Sequence, residues 1–209
     1  MPRPRPTSIY HFTRVEHLAS IVAHGLVADS IAQEGLLTVE IGNRGIKANR
    51  RARGVPCHPN GVVADYVPFY FAPRSPMMYS IHRGNVPEYS GGCGRIIYLE
   101  STLETVVDHG LDLVVTDRNA ALAVASYSVD EEEFDDLVDW PLMRKTMWNN
   151  TVDEPQRMER RMAEALVHQM VPIECILRVV APTQSVADEA ARTVGTLGIP
   201  VDVIPEWYF

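Results

Sequence analysis

Short runs of β-branched and aromatic residues recur along the chain: "SIYHF", "YVPFYFAP", "GRIIYLE", "LDLVVTD", "IECILRVVAP" and "IPVDVIPEWYF". This feature constrains the fold most, because runs this short make strands that must find partners far away in sequence. Helical signals lie between them. "TRVEHLASIVAHGLV" puts Val15, Leu18, Ile21, Val22 and Leu26 at helical spacing, opens after Thr13 as a cap and ends near Gly25. His11 then falls close to a strand-to-helix junction. "SPMMYSIHRG" predicts a helix capped by Ser75 with Pro76 at its first position, "LETVVDHG" one with a glycine end, and "SVADEAARTVGTLG" an amphipathic one. Pro68 marks its run as an edge strand or an irregular start. "TDRNAALAVASYS" suggests a turn followed by small residues, and the acidic stretch with "FDDLVDWPLMRKTMW" one or two exposed helices. Strands and helices alternate without the glycine-rich phosphate turn of a dinucleotide fold, so the expected class is α+β.

At 209 residues the chain fits one domain, 1–209, with a full core. A composition of 46% hydrophobic and 22% charged residues is that of a soluble globular protein. No apolar run reaches membrane-span length, and "MPRPRPTSIYHF" has no apolar leader region, so neither a membrane nor secretion is expected. Cys57, Cys93 and Cys175 lie far apart without metal-type spacing, which fits a reducing cytoplasm and suggests neither a disulfide framework nor a metal site. The formal charge of −8 argues against coating nucleic acid by bulk electrostatics. The distribution is uneven, however. "RGIKANRRAR" gathers Arg44, Lys47, Arg50, Arg51 and Arg53, while "DEEEFDDLVD" holds seven acids. The basic cluster lies in residues 27–60, a long polar segment with room for one short helix, and long loops inside domains are often functional.

Two readings of Glu164 stand side by side. In "MERRMAEALVHQM" a continuous helix would put Arg160 or Arg161 one turn from Glu164, an ordinary solvated ion pair. If the helix instead ends near Arg161, "AEALVH" is a strand, with Glu164, Leu166 and His168 on one face and Ala163, Ala165 and Val167 on the other. A carboxylate at the mouth of such a strand could hold a sugar hydroxyl and offset developing positive charge. His11 alone reads equally as a hydrogen-bonded structural histidine, and Phe69, Tyr70 and Phe71 as core.

Taken in order, "IYHFTRVEHLASIVAHGLVADS", "DYVPFYFAPRSPMMYSIHRG", "YSGGCGRIIYL", "TDRNAA", "RRMAEALVH" and the final "WYF" resemble the DarT family, the DNA-modifying ADP-ribosyltransferase toxins of bacterial toxin–antitoxin systems. The resemblance covers nearly the whole chain. It implies an ADP-ribosyltransferase fold, two antiparallel sheets with peripheral helices forming an NAD cleft, and NAD as co-substrate without a metal. His11 matches the histidine that contacts an NAD ribose, and Tyr70 the aromatic beside the nicotinamide. Thr13, Gly25 and Arg50 join them as expected NAD contacts. Glu164 matches the catalytic glutamate, and Arg50, or the adjacent Arg51, the active-site arginine. Met77 matches a residue near the target base. Asn119 stands where some relatives have histidine and takes an orienting role on the DNA side, where Arg44, Lys47, Arg51 and Arg53 supply positive charge. The segment from about 120 to 160 matches the loop that selects the target. The implied partners are single-stranded DNA, with thymine the expected base and guanine the alternative, and a macrodomain antitoxin of the DarG type. RNA or protein as the acceptor, and a nucleic-acid-binding module without catalysis, are the competing readings.

Overall fold

The computed structural model describes residues 2–33, 41–87 and 89–209, so the 34–40 part of the long polar segment lies outside the described residues. The chain opens with strand β1 (Ser8–Arg14), a 3-10 turn and helix α1 (Leu18–His24), followed by β2 (Leu26–Val27), α2 (Asp29–Ala32) and α3 (Arg44–Ala52). Next come β3 (Tyr66–Tyr70), α4 (Pro76–His82), β4 (Ile96–Thr102), α5 (Leu103–Asp108), β5 (Leu113–Thr116) and β6 (Tyr127–Ser128). Three short helices, α6 (Phe134–Leu137), α7 (Trp140–Met143) and α8 (Arg157–Arg160), precede β7 (Glu164–His168) and β8 (Met170–Val171). The chain finishes through β9 (Arg178–Ala181), α9 (Gln184–Val194) and β10 (Val201–Val203).

Eight strands form one sheet in the order β10-β9-β4-β1-β3-β7-β5-β6, and β2 and β8 form a small second sheet. The pairings are antiparallel apart from β9 with β10. The large sheet behaves as two halves. β1 pairs with β4 over seven residues and β3 with β7 over five, but β1 and β3 meet in register only at Tyr10↔Tyr70. The reason is Pro68. Its carbonyl is taken by His11 Nδ1 at 2.8 Å, on the β1 side. A strand residue points its N–H and C=O toward the same neighbour, so the N–H that proline lacks is one the β1 ladder would have used. The proline therefore sits in an interior strand, not the edge its residue type suggests, and the ladder parts where it stands.

One face of the sheet carries a continuous core that includes Ile9, Phe69, Leu99, Ala165, Val167 and Val179, covered by α1, α5 and α9. The opposite face carries two separate clusters, one with Met78, Ile96, Tyr98 and Tyr208, the other with Val63, Tyr66, Val114 and Leu166. They sit over different halves of the sheet, and the parting of β1 from β3 lies between those halves.

Local signals place several elements as expected. The Ser75 side chain accepts from the Met78 N–H with Pro76 in the first turn, and Gly25 ends α1 at φ 80°. Others differ. Thr13 is not a cap but a strand residue whose hydroxyl meets His17 Nδ1 at 2.8 Å, and His11 lies inside β1. α6 and α7 are not exposed helices, since Phe134, Trp140, Leu142 and Met143 are buried. No helix among the described residues is long and apolar enough to cross a membrane.

Candidate active site

Glu164 is the first residue of β7 and is 1% exposed. Helix α8 ends before it, and the two arginines of "ERRM" turn elsewhere. Arg160 pairs with Asp139 and Glu154, while Arg161 donates to the carbonyls of Pro73, Leu142, Met143 and Lys145. The strand alternation follows: Leu166 packs in the Tyr66 cluster, and Ala163, Ala165 and Val167 in the main core. The partner of Glu164 is 114 residues away. Arg50 Nη1 lies 2.8 Å from Oε1 and 3.1 Å from Oε2, and the Ala120 N–H donates to Oε2 at 2.9 Å. Thr116 Oγ1 accepts from the Glu164 N–H at 3.1 Å, which fixes the strand start. A carboxylate offers about four lone-pair sites, so the three bonds to Oε1 and Oε2 leave about one for another donor.

Arg50 reaches Glu164 from α3, which is capped by the Asn43 side chain and has no buried residue. Two of its other bases share one carboxylate: Lys47 Nζ is 2.5 Å from Asp29 Oδ1, and Arg51 Nη2 is 2.8 Å from Asp29 Oδ2. Arg50, not Arg51, therefore faces Glu164. Its second terminal nitrogen, Nη2, is buried without a hydrogen-bond partner among the described residues.

A cavity of about 420 Å³ brings together His11, Thr13, Gly25, Lys47, Arg50, Tyr70, Met77, Asn119 and Glu164; Arg44, Arg51 and Arg53 do not line it. It occupies the gap between the sheet halves, since His11 and Thr13 come from β1 and Tyr70 and Glu164 from β3 and β7. Burial pushes the His11 imidazole down to about 4, so the ring is neutral at pH 7. A carbonyl can only accept, so Nδ1 carries the proton toward Pro68 O and Nε2 is left as an acceptor. Burial and the Glu164 charge push the Tyr70 phenol up, and its ring stacks on Phe12 at 6.0 Å between centroids. Asn119 uses its side-chain oxygen on the Ala121 N–H at 2.9 Å. It shapes the turn that presents the Ala120 N–H to Glu164. Gly25 sits at φ 80°, where a side chain is strained, and a Cβ there would also crowd the Val171 carbonyl oxygen at 3.1 Å, so this wall of the cavity calls for glycine.

The family model described as "ssDNA thymidine ADP-ribosyltransferase, DarT" matches residues 10–209. The chain belongs to the DarT family. It is 36% identical over 190 residues to a DNA ADP-ribosyl transferase of Thermus sp. (strain 2.9), covering 90% of this chain and 88% of that one. Thermus sp. 2.9 DarT in complex with ADP-ribosylated ssDNA superposes with a TM-score of 0.92 at 33% identity, covering 100% of this chain and 99% of that one. The same Thermus protein in complex with NAD+ superposes at 0.86 with 33% identity, covering 99% and 100%. The ADP-ribosyltransferase fold expected for a DarT chain is thus present, as one large sheet, one small sheet and surrounding helices.

Three contributors to this DarT site were not among the expected residues. Thr116 and the Ala120 N–H hold Glu164, and Asp29 holds two bases of α3. The first two act through a strand end and a backbone group, which residue type does not advertise. Asp29 reads locally as a first-turn acid of α2; the available signal was the i, i+4 spacing of Lys47 and Arg51, which lets one distant carboxylate take both. Among the described residues no group of three or more His, Cys, Asp or Glu side chains forms a metal site.

Proposed function

We propose that this chain transfers ADP-ribose from NAD to the thymine base of single-stranded DNA. The observation that carries the reading is the buried Glu164 carboxylate, which among the described residues keeps about one acceptor site beside the Arg50 Nη2, itself without a partner among them, in one cavity. Membership of the DarT family supports the base and the polymer.

The chemistry follows from where charge develops. The bond between ribose C1′ and the nicotinamide nitrogen breaks, its electron pair leaves with nicotinamide, and the sugar becomes oxocarbenium-like. Glu164 accepts a hydrogen bond from a ribose hydroxyl and stabilises that cation, in a site from which water is largely excluded. His11 Nε2 is the second acceptor for ribose, while Tyr70 flanks the nicotinamide. A ring nitrogen of thymine then bonds to C1′ and loses its proton. Glu164 takes that proton, because Asp29, the other described carboxylate lining the cavity, is held by two bases. A guanidinium donates and does not accept protons, so Arg50 Nη2 is assigned to stabilising the deprotonated base or the diphosphate, not to base catalysis. Single-stranded DNA is the natural acceptor, since a pairing edge hidden in a duplex costs extra to expose. Thr13 and Gly25 complete the NAD wall, and Met77 stands on the target side. The whole chain acts as one domain in the cytoplasm, and a macrodomain antitoxin that strips ADP-ribose from DNA is the partner that would reverse its product.

The test is to incubate the protein with NAD and a single-stranded oligonucleotide, digest to nucleosides and weigh the products. ADP-ribose on thymidine is expected. An adduct on deoxyguanosine would replace only the base, and NAD turnover with unmodified DNA would overturn the assignment of DNA as acceptor.

A further inference from the structure

We infer that Asp29 is a positioning residue for this reaction: it clasps α3 through Lys47 and Arg51 and thereby holds the Arg50 guanidinium against Glu164. This role rests on the proposed function for the meaning of Arg50, but the clasp itself is a matter of geometry. A helix of nine residues with no buried side chain gains little from packing, and short isolated helices are marginal in water; its C-terminal end is tied where the Val63 N–H donates to Arg53 O at 2.8 Å. Its Asn43 cap stabilises it locally without fixing where it lies. Asp29 does fix it. One carboxylate oxygen takes Lys47 Nζ at 2.5 Å and the other takes Arg51 Nη2 at 2.8 Å, four residues apart on one side of the helix. Arg50 is three residues beyond Lys47, so it projects to a neighbouring side, into the cavity and onto Glu164 at 2.8 Å. The Asp29 side chain is 19% exposed, and the Gln33 amide also donates to Oδ1 at 3.1 Å, so the carboxylate is anchored from its own helix. Burial raises the Asp29 carboxyl, but the Lys47 and Arg51 charges outweigh that and hold it below its ordinary range.

Asp29 also lines the cavity, so a direct contact with NAD is the rival role. A thermodynamic cycle separates the two. If Asp29 acts through Arg50, Asp29→Asn should lower kcat/KM for transfer roughly tenfold in the wild-type background and less than about twofold in an Arg50→Ala background. Equal losses in both backgrounds would overturn the proposal. Reversing the clasp, Asp29→Arg with Lys47→Glu and Arg51→Glu, is read by hydrogen exchange and not by activity, because Lys47 and Arg51 also belong to the expected DNA side. Hydrogen exchange of the 44–52 amides reads the clasp with no reaction running. Protection should fall at least about tenfold in Asp29→Asn and return in the reversed triple variant. Unchanged protection would overturn the clasp whatever the enzyme does, whereas a wild-type protein with a protected helix and no transfer would count against the proposed function alone.

Discussion

Arg50 and the Ala120 N–H bond the Glu164 carboxylate where water barely reaches it. Such a pair is costly to break from one side only, of order 3–5 kcal/mol, since the remaining charge is then buried alone. None of this was visible around Glu164 in sequence, where Arg160 and Arg161 offered closer and misleading partners. The strand reading that gives Glu164 its face was available, but local pattern could not choose it. His11 makes a separate prediction. Its pKa of about 4 lies below the ordinary 6.5, so between those values the unfolded chain binds more protons than the folded one. The stability His11 contributes is therefore complete above about pH 6.5 and is lost as pH falls toward 4. An NMR titration of the imidazole should give a midpoint near 4. A midpoint near 6.5 would mean that the ring is solvated and does not present a fixed neutral Nε2.

Elements with local causes were legible, and elements that depend on distant partners were not. α4 could be read from Ser75 and Pro76, and α9 from its spacing, because caps and periodicity act within a few residues. The interior position of β3 could not, because Pro68 argues for an edge until β1 is known to part from it there. The burial of α7 was hidden for a similar reason. Its carbonyls at Leu142 and Met143, with that of Lys145, converge on the buried Arg161 guanidinium, which also reaches Pro73. Burial lowers Arg161 to about 10, which still leaves it charged at neutral pH. This arginine ties the segment before Glu164 to the turn that leads into α4. Arg161→Ala should strand several buried carbonyls and cost at least ~2 kcal/mol in denaturant unfolding. Arg161→Lys should recover little, since an ammonium lacks the planar fork that reaches four acceptors. Full stability in either variant would show that the staple is dispensable.

Over the whole molecule, the net charge of −8 leaves the DNA path dependent on a few exposed bases. The basic segment is less free than its composition suggests, because Lys47 and Arg51 share Asp29 and Arg50 meets Glu164. Arg44 and Arg53 take no part in these ion pairs, and they are the proposed phosphate contacts. DNA affinity should fall with salt, and Arg44→Ala with Arg53→Ala should reduce the log–log slope by about 0.7 for each phosphate no longer neutralised. An unchanged slope would place the strand on another surface. In the proposed reaction Glu164 is the group that stabilises the cationic sugar. Its most direct test is single-turnover transfer from NAD to a thymine-containing oligonucleotide by the wild-type and Glu164→Gln proteins, with circular dichroism and NAD binding measured alongside. A fall in rate of at least ~10²-fold in a folded variant that still binds NAD is the predicted result. A near-wild-type rate in folded Glu164→Gln would contradict it.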